Sequence, residues 1–274
     1  MLKICIIGTG QIGYDLLIKL MKINFVKIIA FVGKRKYLKE LPENIFYSDK
    51  SIEFFKLNPN CCDVVFDCTD SFSAIINNEV FLQQNIKVID LTPSKIGEYY
   101  IPNMNNKLGN NINMVTCGGQ VSIPAIKYLY DNCSDIKYVE IVTQIASNSA
   151  GLATRINIDK YIETTESAIY HYINIKKCKV ILNLNPFDNK IFQTTIYLKT
   201  SYYNSNTLNE FSNTMKNYIP NYNVEQPIWI EDDVLMMNIN IIGSEDYLSK
   251  YFGNLDIINC AAIHALKTIY KEFN

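Results

Sequence analysis

Two stretches of this 274-residue chain carry residue types whose spacing could do chemistry. The first is Gly8-Thr9-Gly10-Gln11-Ile12-Gly13, directly after Lys3-Ile4-Cys5-Ile6-Ile7. In a strand-turn-helix setting, Gly8 allows the tight turn, Gly10 lets the backbone approach a pyrophosphate, and Gly13 lets the helix pack closely on the strand. The helix amino terminus then offers free N–H groups to phosphates. The spacing predicts a dinucleotide site; a glycine turn kept for packing is the other reading. The second stretch is Cys117-Gly118-Gly119-Gln120, which breaks the strand-like run at 112–116. Ser122 reads as a helix N-cap with Pro124 in the first turn, so Cys117 is expected between a strand end and a helix start. A helix amino terminus lowers a thiol pKa, and the N–H groups of Gly118 and Gly119 could bind an oxyanion. The alternative is a small buried apolar cysteine.

A nucleophilic cysteine beside a nicotinamide implies a definite reaction. The thiolate attacks a carbonyl, hydride leaves or arrives at that carbon, and a thioester is one partner. That is oxidation of an aldehyde through an acyl-enzyme, or reduction of an acyl donor. The cofactor is expected to be NAD or NADP. NAD-selective sites usually carry an acidic residue after the second strand, but this chain has Gly33-Lys34-Arg35-Lys36. Lys34 and Arg35 suit a 2′-phosphate, so NADP(H) is expected to be accepted. A solvated charge run has equal weight.

These groups need elements to position them. Strand-like runs at 3–7, 27–32, 63–66, 87–91 and 112–116 are separated by helical stretches, the first with Leu16, Leu17, Leu20 and Met21 at helical spacing. Strands alternating with helices predict an α/β fold with a Rossmann-type doubly wound parallel sheet. The second half has longer strand-like runs at 139–146, 179–184, 194–198 and 234–242, with helical stretches at 159–172 and 208–218. Fewer crossovers there predict an α+β unit with a mixed or antiparallel sheet. A last helix is expected over 255–273.

Composition excludes several function classes. Lys+Arg is 26 against 27 Asp+Glu, a net charge of −1, so nucleic-acid binding has no global electrostatic support. Hydrophobic residues at 48% are enough for a sizeable core. No apolar run approaches the roughly 20 residues of a membrane helix, and the amino terminus lacks the layout of a signal peptide. Eight scattered cysteines read as reduced thiols of a cytoplasmic protein. Cys61, Cys62 and Cys68 lack zinc-ligand spacing and the only histidines are His171 and His264, so no metal is expected. Nothing pairs either histidine with Cys117 as a general base. Asn148 and Asn254 carry amides that could hold a substrate oxygen or a carboxamide.

The chain resembles the acylating acetaldehyde dehydrogenases, CoA-dependent enzymes that partner an aldolase in aromatic meta-cleavage pathways. The resemblance rests on Ile7-Gly8-Thr9-Gly10-Gln11-Ile12-Gly13, Val88-Ile89-Asp90-Leu91-Thr92-Pro93 and Asn113-Met114-Val115-Thr116-Cys117-Gly118-Gly119-Gln120, with Ser147-Asn148-Ser149-Ala150-Gly151, Thr154-Arg155, Asn157-Ile158-Asp159 and Gly253-Asn254-Leu255-Asp256-Ile257 later on. It implies that Cys117 forms an acyl-thioester and that the turn from Thr9 to Ile12 contacts the cofactor. It also places Ser147, Ser149, Ala150, Gly151, Arg155 and Asn254 at the nicotinamide, with coenzyme A as cosubstrate. It implies a dinucleotide-binding domain of 1–116 plus 252–274, a catalytic and dimerisation domain of 117–251, a homodimer, and an aldolase partner by resemblance only. There are departures. Gly151-Leu152-Ala153-Thr154-Arg155 stands where the family has Gly-Pro-Gly-Thr-Arg. Thr194 stands where relatives carry an acidic residue that assists the thiol, with Asp188 nearby. The loops after Lys36 and before Trp229 are trimmed.

The expected function is interconversion of a short aldehyde and its acyl-CoA through a Cys117 thioester. The alternatives are a reductive acyl-thioester reductase with another acyl group, a non-catalytic dinucleotide-binding homologue, and a phosphorylating semialdehyde-type dehydrogenase, which would want a histidine near the cysteine.

Overall fold

A computed structural model describes residues 1–34, 45–105 and 108–272, with the side chains at 152 and 153 left aside. The early apolar runs become strands of one sheet. In chain order the elements are β1 (Leu2–Ile7), α1 (Gln11–Leu20), β2 (Val26–Val32), β3 (Phe46–Ser48), α2 (Ile52–Leu57), β4 (Val64–Asp67), α3 (Ser71–Gln83), β5 (Lys87–Asp90), β6 (Glu98–Tyr99) and β7 (Asn111–Asn113). The strands lie in the order β3-β2-β1-β4-β5-β7-β6, and every pairing is parallel. The chain leaves β1 in one direction for β2 and later crosses back to place β4 on its other side. That reversal leaves a crevice beyond the carboxyl ends of β1 and β4, where open α/β sheets bind ligands.

Side chains alternate across this sheet, as strand geometry requires. Ile4, Ile6, Phe66 and Ile89 enter the large core on one side. Cys5, Ile7, Val65 and Val88 join a smaller cluster with Phe54, Phe55 and Phe81 of α2 and α3 on the other. Burial on both faces explains why these strands read as near-continuous apolar runs.

The second half contains α4 (Cys117–Asn132), β8 (Cys133–Ser134), β9 (Tyr138–Ala146), α5 (Leu152–Ile156), α6 (Ile158–Tyr172), β10 (Cys178–Asn185), β11 (Phe192–Lys199), β12 (Tyr202–Tyr203), α7 (Leu208–Lys216), β13 (Tyr222–Val224), β14 (Ile228–Glu231), β15 (Val234–Ile241) and α8 (Gly253–Glu272). Its larger sheet runs β10-β9-β11-β15-β13, with β14 also on β15. Only β9 and β10 pair in parallel, the others antiparallel, so the sheet is mixed. Buried and half-buried residues alternate along β9, β11 and β15, which is the pattern of a sheet with one covered face. Helix α8 packs on both α1 and α4, bringing the end of the chain back to its start. Among the described residues no helix is long and apolar enough to cross a membrane.

The region around Cys117 differs from the expectation. The strand stops at Asn113 rather than 116, and the helix begins at Cys117 rather than near Ser122. Val115 takes a φ of 58°, which ends extended structure. Thr116, not Ser122, is the N-cap: its Oγ1 accepts the Gly119 N–H at 2.9 Å. Ser122 and Pro124 therefore lie inside α4.

Candidate functional site

The turn after β1 is shaped by contacts that exclude side chains. Gly8 has a φ of +107°, and a Cβ there would fall 2.4 Å from the Cys68 carbonyl oxygen. A Cβ on Gly13 would fall 2.0 Å from the Gly8 carbonyl oxygen, so α1 lies directly against the turn. At Gly10 a Cβ would meet nothing within 4 Å; its backbone is bare toward open space at the amino end of α1. That space is a cleft of about 610 Å³ lined by Gly8, Thr9, Gly10, Gln11 and Ile12, by Lys34, and on the far wall by Asn148, Ser149 and Gly151. The size is within the range of ligand pockets. A strained glycine turn, a bare backbone and a helix amino terminus facing one cleft fit a dinucleotide pyrophosphate.

Six residues of this cleft, Ile12, Thr69, Asp70, Thr154, Asn157 and Leu255, also line a second, inner cavity of about 90 Å³. Cys117, Thr116, Val115, Tyr161 and Asn254 are also on its wall. Asn254 is buried; its Nδ2 donates to the Ser149 carbonyl at 3.3 Å, while its Oδ1 has no partner among the described residues. An orphaned amide oxygen on the wall of the inner cavity fits the amide N–H₂ of a nicotinamide carboxamide.

Cys117 is half-buried, at the first position of α4. Burial pushes its thiol up to about 12, against the pull of the Gly118 N–H, the Tyr161 hydroxyl and its own N–H. The helix terminus thus acts in the expected direction, but burial outweighs it, and the resting thiol is protonated at neutral pH. The expected pair of oxyanion donors is also reduced. The Gly119 N–H is held by the Thr116 cap, leaving Gly118, whose N–H bears on the sulfur.

Tyr161, from α6, escaped sequence reasoning. A Cβ on Gly118 would lie 1.9 Å from the Tyr161 oxygen, so glycine at 118 is what admits the phenol beside the cysteine. The side chains of Thr143, Thr116 and Cys117 surround that hydroxyl, which has no well-aligned hydrogen-bond partner among the described residues. Burial, then the charge of Cys117, raises its pKa, so it is a donor and not a base. In sequence Tyr161 is one more aromatic on an amphipathic helix; only the absence of a side chain at Gly118 hinted that something approaches there. Val115 was also missed. It is a β-branched residue in the left-handed region, a true outlier, held by its N–H to Asn113 Oδ1 at 2.8 Å.

The other anticipated residues separate. Asn148, Ser149 and Gly151 line the outer cleft, and Asn148 lies apart from the Cys117 cavity. Arg155 turns back on its own loop, donating from Nε to the Ala150 carbonyl at 3.0 Å and from Nη2 to the Ser147 carbonyl at 2.8 Å. It braces the loop that faces the cleft. Gly13 serves packing. Lys34 is exposed at the cleft edge, while Arg35 lies outside the described residues. His171 and His264 line neither cavity; His264 instead meets the Tyr100 hydroxyl at 2.8 Å.

Residues 117–249 match the family model described as prokaryotic acetaldehyde dehydrogenase, dimerisation. The acetaldehyde dehydrogenase of Spirochaeta aurantia is 39% identical, over 96% of this chain and 92% of that protein. That of Pectobacterium atrosepticum is also 39% identical, over 97% and 95%. The chain belongs to the acetaldehyde dehydrogenase family. Solved structures share the fold at low identity. Aspartate semialdehyde dehydrogenase II of Vibrio cholerae superimposes with a TM-score of 0.70 at 11% identity, covering 100% of both chains. Aspartate semialdehyde dehydrogenase of Candida albicans gives 0.61 at 12% identity, over 97% and 98%. Within the acetaldehyde dehydrogenase framework, Thr194 is fully buried and its Oγ1 meets Thr143 Oγ1 at 3.0 Å. Thr143 in turn lies 3.1 Å from the Gly118 Cβ position, on the side where Tyr161 sits. The hydroxyls of Thr143 and Thr194 thus lie behind the Gly118–Tyr161 contact.

Proposed function

We propose that this chain is a cysteine-dependent, CoA-acylating aldehyde dehydrogenase. The observation that carries the reading is Cys117 at the first position of α4, on the wall of a cavity that shares six lining residues with the glycine-turn cleft. The Cys117 sulfur attacks the aldehyde carbonyl carbon as its proton is lost to solvent, and the carbonyl oxygen gains negative charge. The Gly118 N–H, the positive end of α4 and the Tyr161 O–H face this centre and oppose that charge. A nicotinamide bound in the cleft would supply the hydride acceptor for that carbon, or the donor in the reverse direction. The acyl group left on Cys117 is a thioester; the CoA thiol attacks it, forms the acyl-CoA and releases the Cys117 thiol. The backbone from Gly8 to Ile12 would hold the pyrophosphate, and Asn254 the carboxamide.

The test is incubation with acetyl-CoA and reduced nicotinamide, following cofactor absorbance and the intact mass of the protein. Cys117→Ser is expected to lower turnover by about 10³-fold or more and to abolish the acyl adduct. Turnover that survives the substitution removes the centre of the reading.

Lys34 at the cleft edge supports acceptance of NADP(H). Lys34→Ala is expected to raise KM for NADPH about fivefold, in keeping with one exposed charge contact, and to leave KM for NADH unchanged. Equal effects on both cofactors overturn the assignment.

Residues 1–116 with 252–274 are proposed as the dinucleotide-binding domain and 117–251 as the catalytic and dimerisation domain. A homodimer is supported by the family match and by β14, whose Ile228, Trp229 and Ile230 are all exposed. The eight cysteines are free thiols, which supports a cytoplasmic setting. The aldolase partner rests on resemblance alone.

A further inference from the structure

Beside the middle of β1, three thiols meet. Cys5 is fully buried in β1, Cys62 is buried, and Cys61 is half-buried at the surface of the turn that leads into β4. Their three sulfur atoms all lie within 4.8 Å of one another. Cys5 and Cys61, 56 residues apart in sequence, bring their Sγ atoms to 3.9 Å. Cys68 is not part of this group; it lies behind Gly8, past the far end of β4.

The turn that carries Cys61 and Cys62 is fastened to β1 after them and to the residue that caps α3 before them. Asp63 donates its N–H to the Lys3 carbonyl at 2.8 Å and accepts the Lys3 N–H on Oδ2 at 2.7 Å. Asn60 donates its N–H to Gln84 Oε1 at 3.2 Å. On β1, the register with β2 shifts between Ile4 and Cys5, and such irregularities re-aim a side chain. The cluster is thus held by the fold, with Phe54, Phe55 and Phe81 in the same apolar group.

We infer that Cys5, Cys61 and Cys62 form a binding site for a single soft, thiophilic cation, for which monovalent copper is the matching ion. A metal–thiolate bond of about 2.3 Å places sulfurs about 4.0 Å apart in trigonal coordination, close to the separation already present. Soft thiolates favour Cu(I), zinc and iron–sulfur clusters, and the clusters take four cysteines. Structural zinc takes four ligands, and no fourth cysteine, histidine or carboxylate joins the group among the described residues. The apolar surroundings on the buried side offer no polar substitute for it. Each thiol that ligates releases its proton, and the ion then ties β1 to the entry of β4. The site lies away from both cavities, none of its residues lining either, and it is independent of the proposed reaction.

The experiment uses full-length protein carrying Cys117→Ala, fully reduced and metal-free, titrated with Cu(I) against a chromophoric copper chelator. One ion per chain is expected, with copper absorption spectroscopy showing three sulfur neighbours and the unfolding temperature rising by roughly 5–10 °C at a hundredfold excess over Kd. Cys61→Ser, at the most exposed of the three positions, should weaken binding at least tenfold while the chain stays folded; Cys178→Ser, on β10, should not change it. Binding unaffected by Cys61→Ser overturns the inference. So does tighter binding of Zn(II) than of Cu(I), or loss of two hydrogens to a Cys5–Cys61 disulfide in a chain that binds no copper.

Discussion

Removing the Tyr161 hydroxyl takes away a donor that bears on the Cys117 sulfur and leaves no other group in its place. Tyr161→Phe is expected to slow alkylation of Cys117 by iodoacetamide by about tenfold at fixed pH, in line with a hydrogen bond to a charged group, and to move the pH profile of alkylation upward. Unfolding temperature should hold or rise, because the hydroxyl is buried without a well-aligned partner. That split separates a role in thiol chemistry from one in packing. For the unaltered chain, reactivity should climb with pH through the range toward 12, since burial keeps the resting thiol protonated. Cys117 and the glycine turn were legible in sequence because glycine and cysteine have few substitutes for what they do. Tyr161 was not: its role depends on meeting Gly118 across 43 residues of chain, which no local pattern encodes.

At the scale of elements, β4 and β5 end in carboxylates that face one another. Asp67 pairs with Asp90 across the parallel strands, and both are buried. Burial, then the charge of Asp67, holds Asp90 up at about 7 against an ordinary 3.8. Below pH 3.8 folded and unfolded chains both bind this proton, and the contribution to stability is whole. As pH rises toward 7 the unfolded chain gives the proton up while the folded chain keeps it, so stability falls. Asp90→Asn retains an acceptor for the Thr92 N–H, which Asp90 Oδ1 accepts at 2.7 Å. It is expected to flatten that decline and to raise the unfolding midpoint at pH 8 by roughly 3 °C, measured calorimetrically across pH 4–8. The strands themselves were readable from apolar runs. The start of α4 was not, because Ser122 and Pro124 are good helix-opening residues locally. Thr116 wins because Val115, in the left-handed region, turns the chain so that its hydroxyl reaches the Gly119 N–H.

For the molecule as a whole, the join between its first and last helices rests on a buried lysine. Lys19 of α1 meets Asp256 of α8 at 2.5 Å and also Asp246, with Asp15 at 3.8 Å. Burial works against its charge, but Asp256 and Asp246 outweigh it and raise the lysine pKa. Asn259 of α8 donates to Asp15 at 2.8 Å, and Phe25 stacks on Tyr270 at 4.1 Å. Lys19→Met leaves Asp15 and Asp256 buried without this cation, while half-buried Asp246 keeps Lys22, and is expected to cost about 3–5 kcal/mol of unfolding free energy in urea. A loss within 1 kcal/mol would mean that the apolar contacts of α8 suffice. In sequence Lys19 is an ordinary helix lysine with Asp15 one turn before it; the chain near its end adds Asp246 and Asp256, the latter 237 positions away.

What this chain determines by sequence alone is what short-range physics encodes: the glycine turn after β1, the alternation of strand and helix, the cysteine before Gly118, and the family resemblance those residues carry. Their steric and hydrogen-bonding demands act within a few residues and survive in any reading frame of the fold. What only the tertiary structure decided is set by contacts between distant segments in a low-dielectric interior. The burial that raises the Cys117 thiol, the phenol admitted by Gly118, the carboxylates around Lys19 and the three sulfurs beside the middle of β1 all arise that way. Desolvation and packing depend on which surfaces meet, and that is not a property of any single stretch of chain.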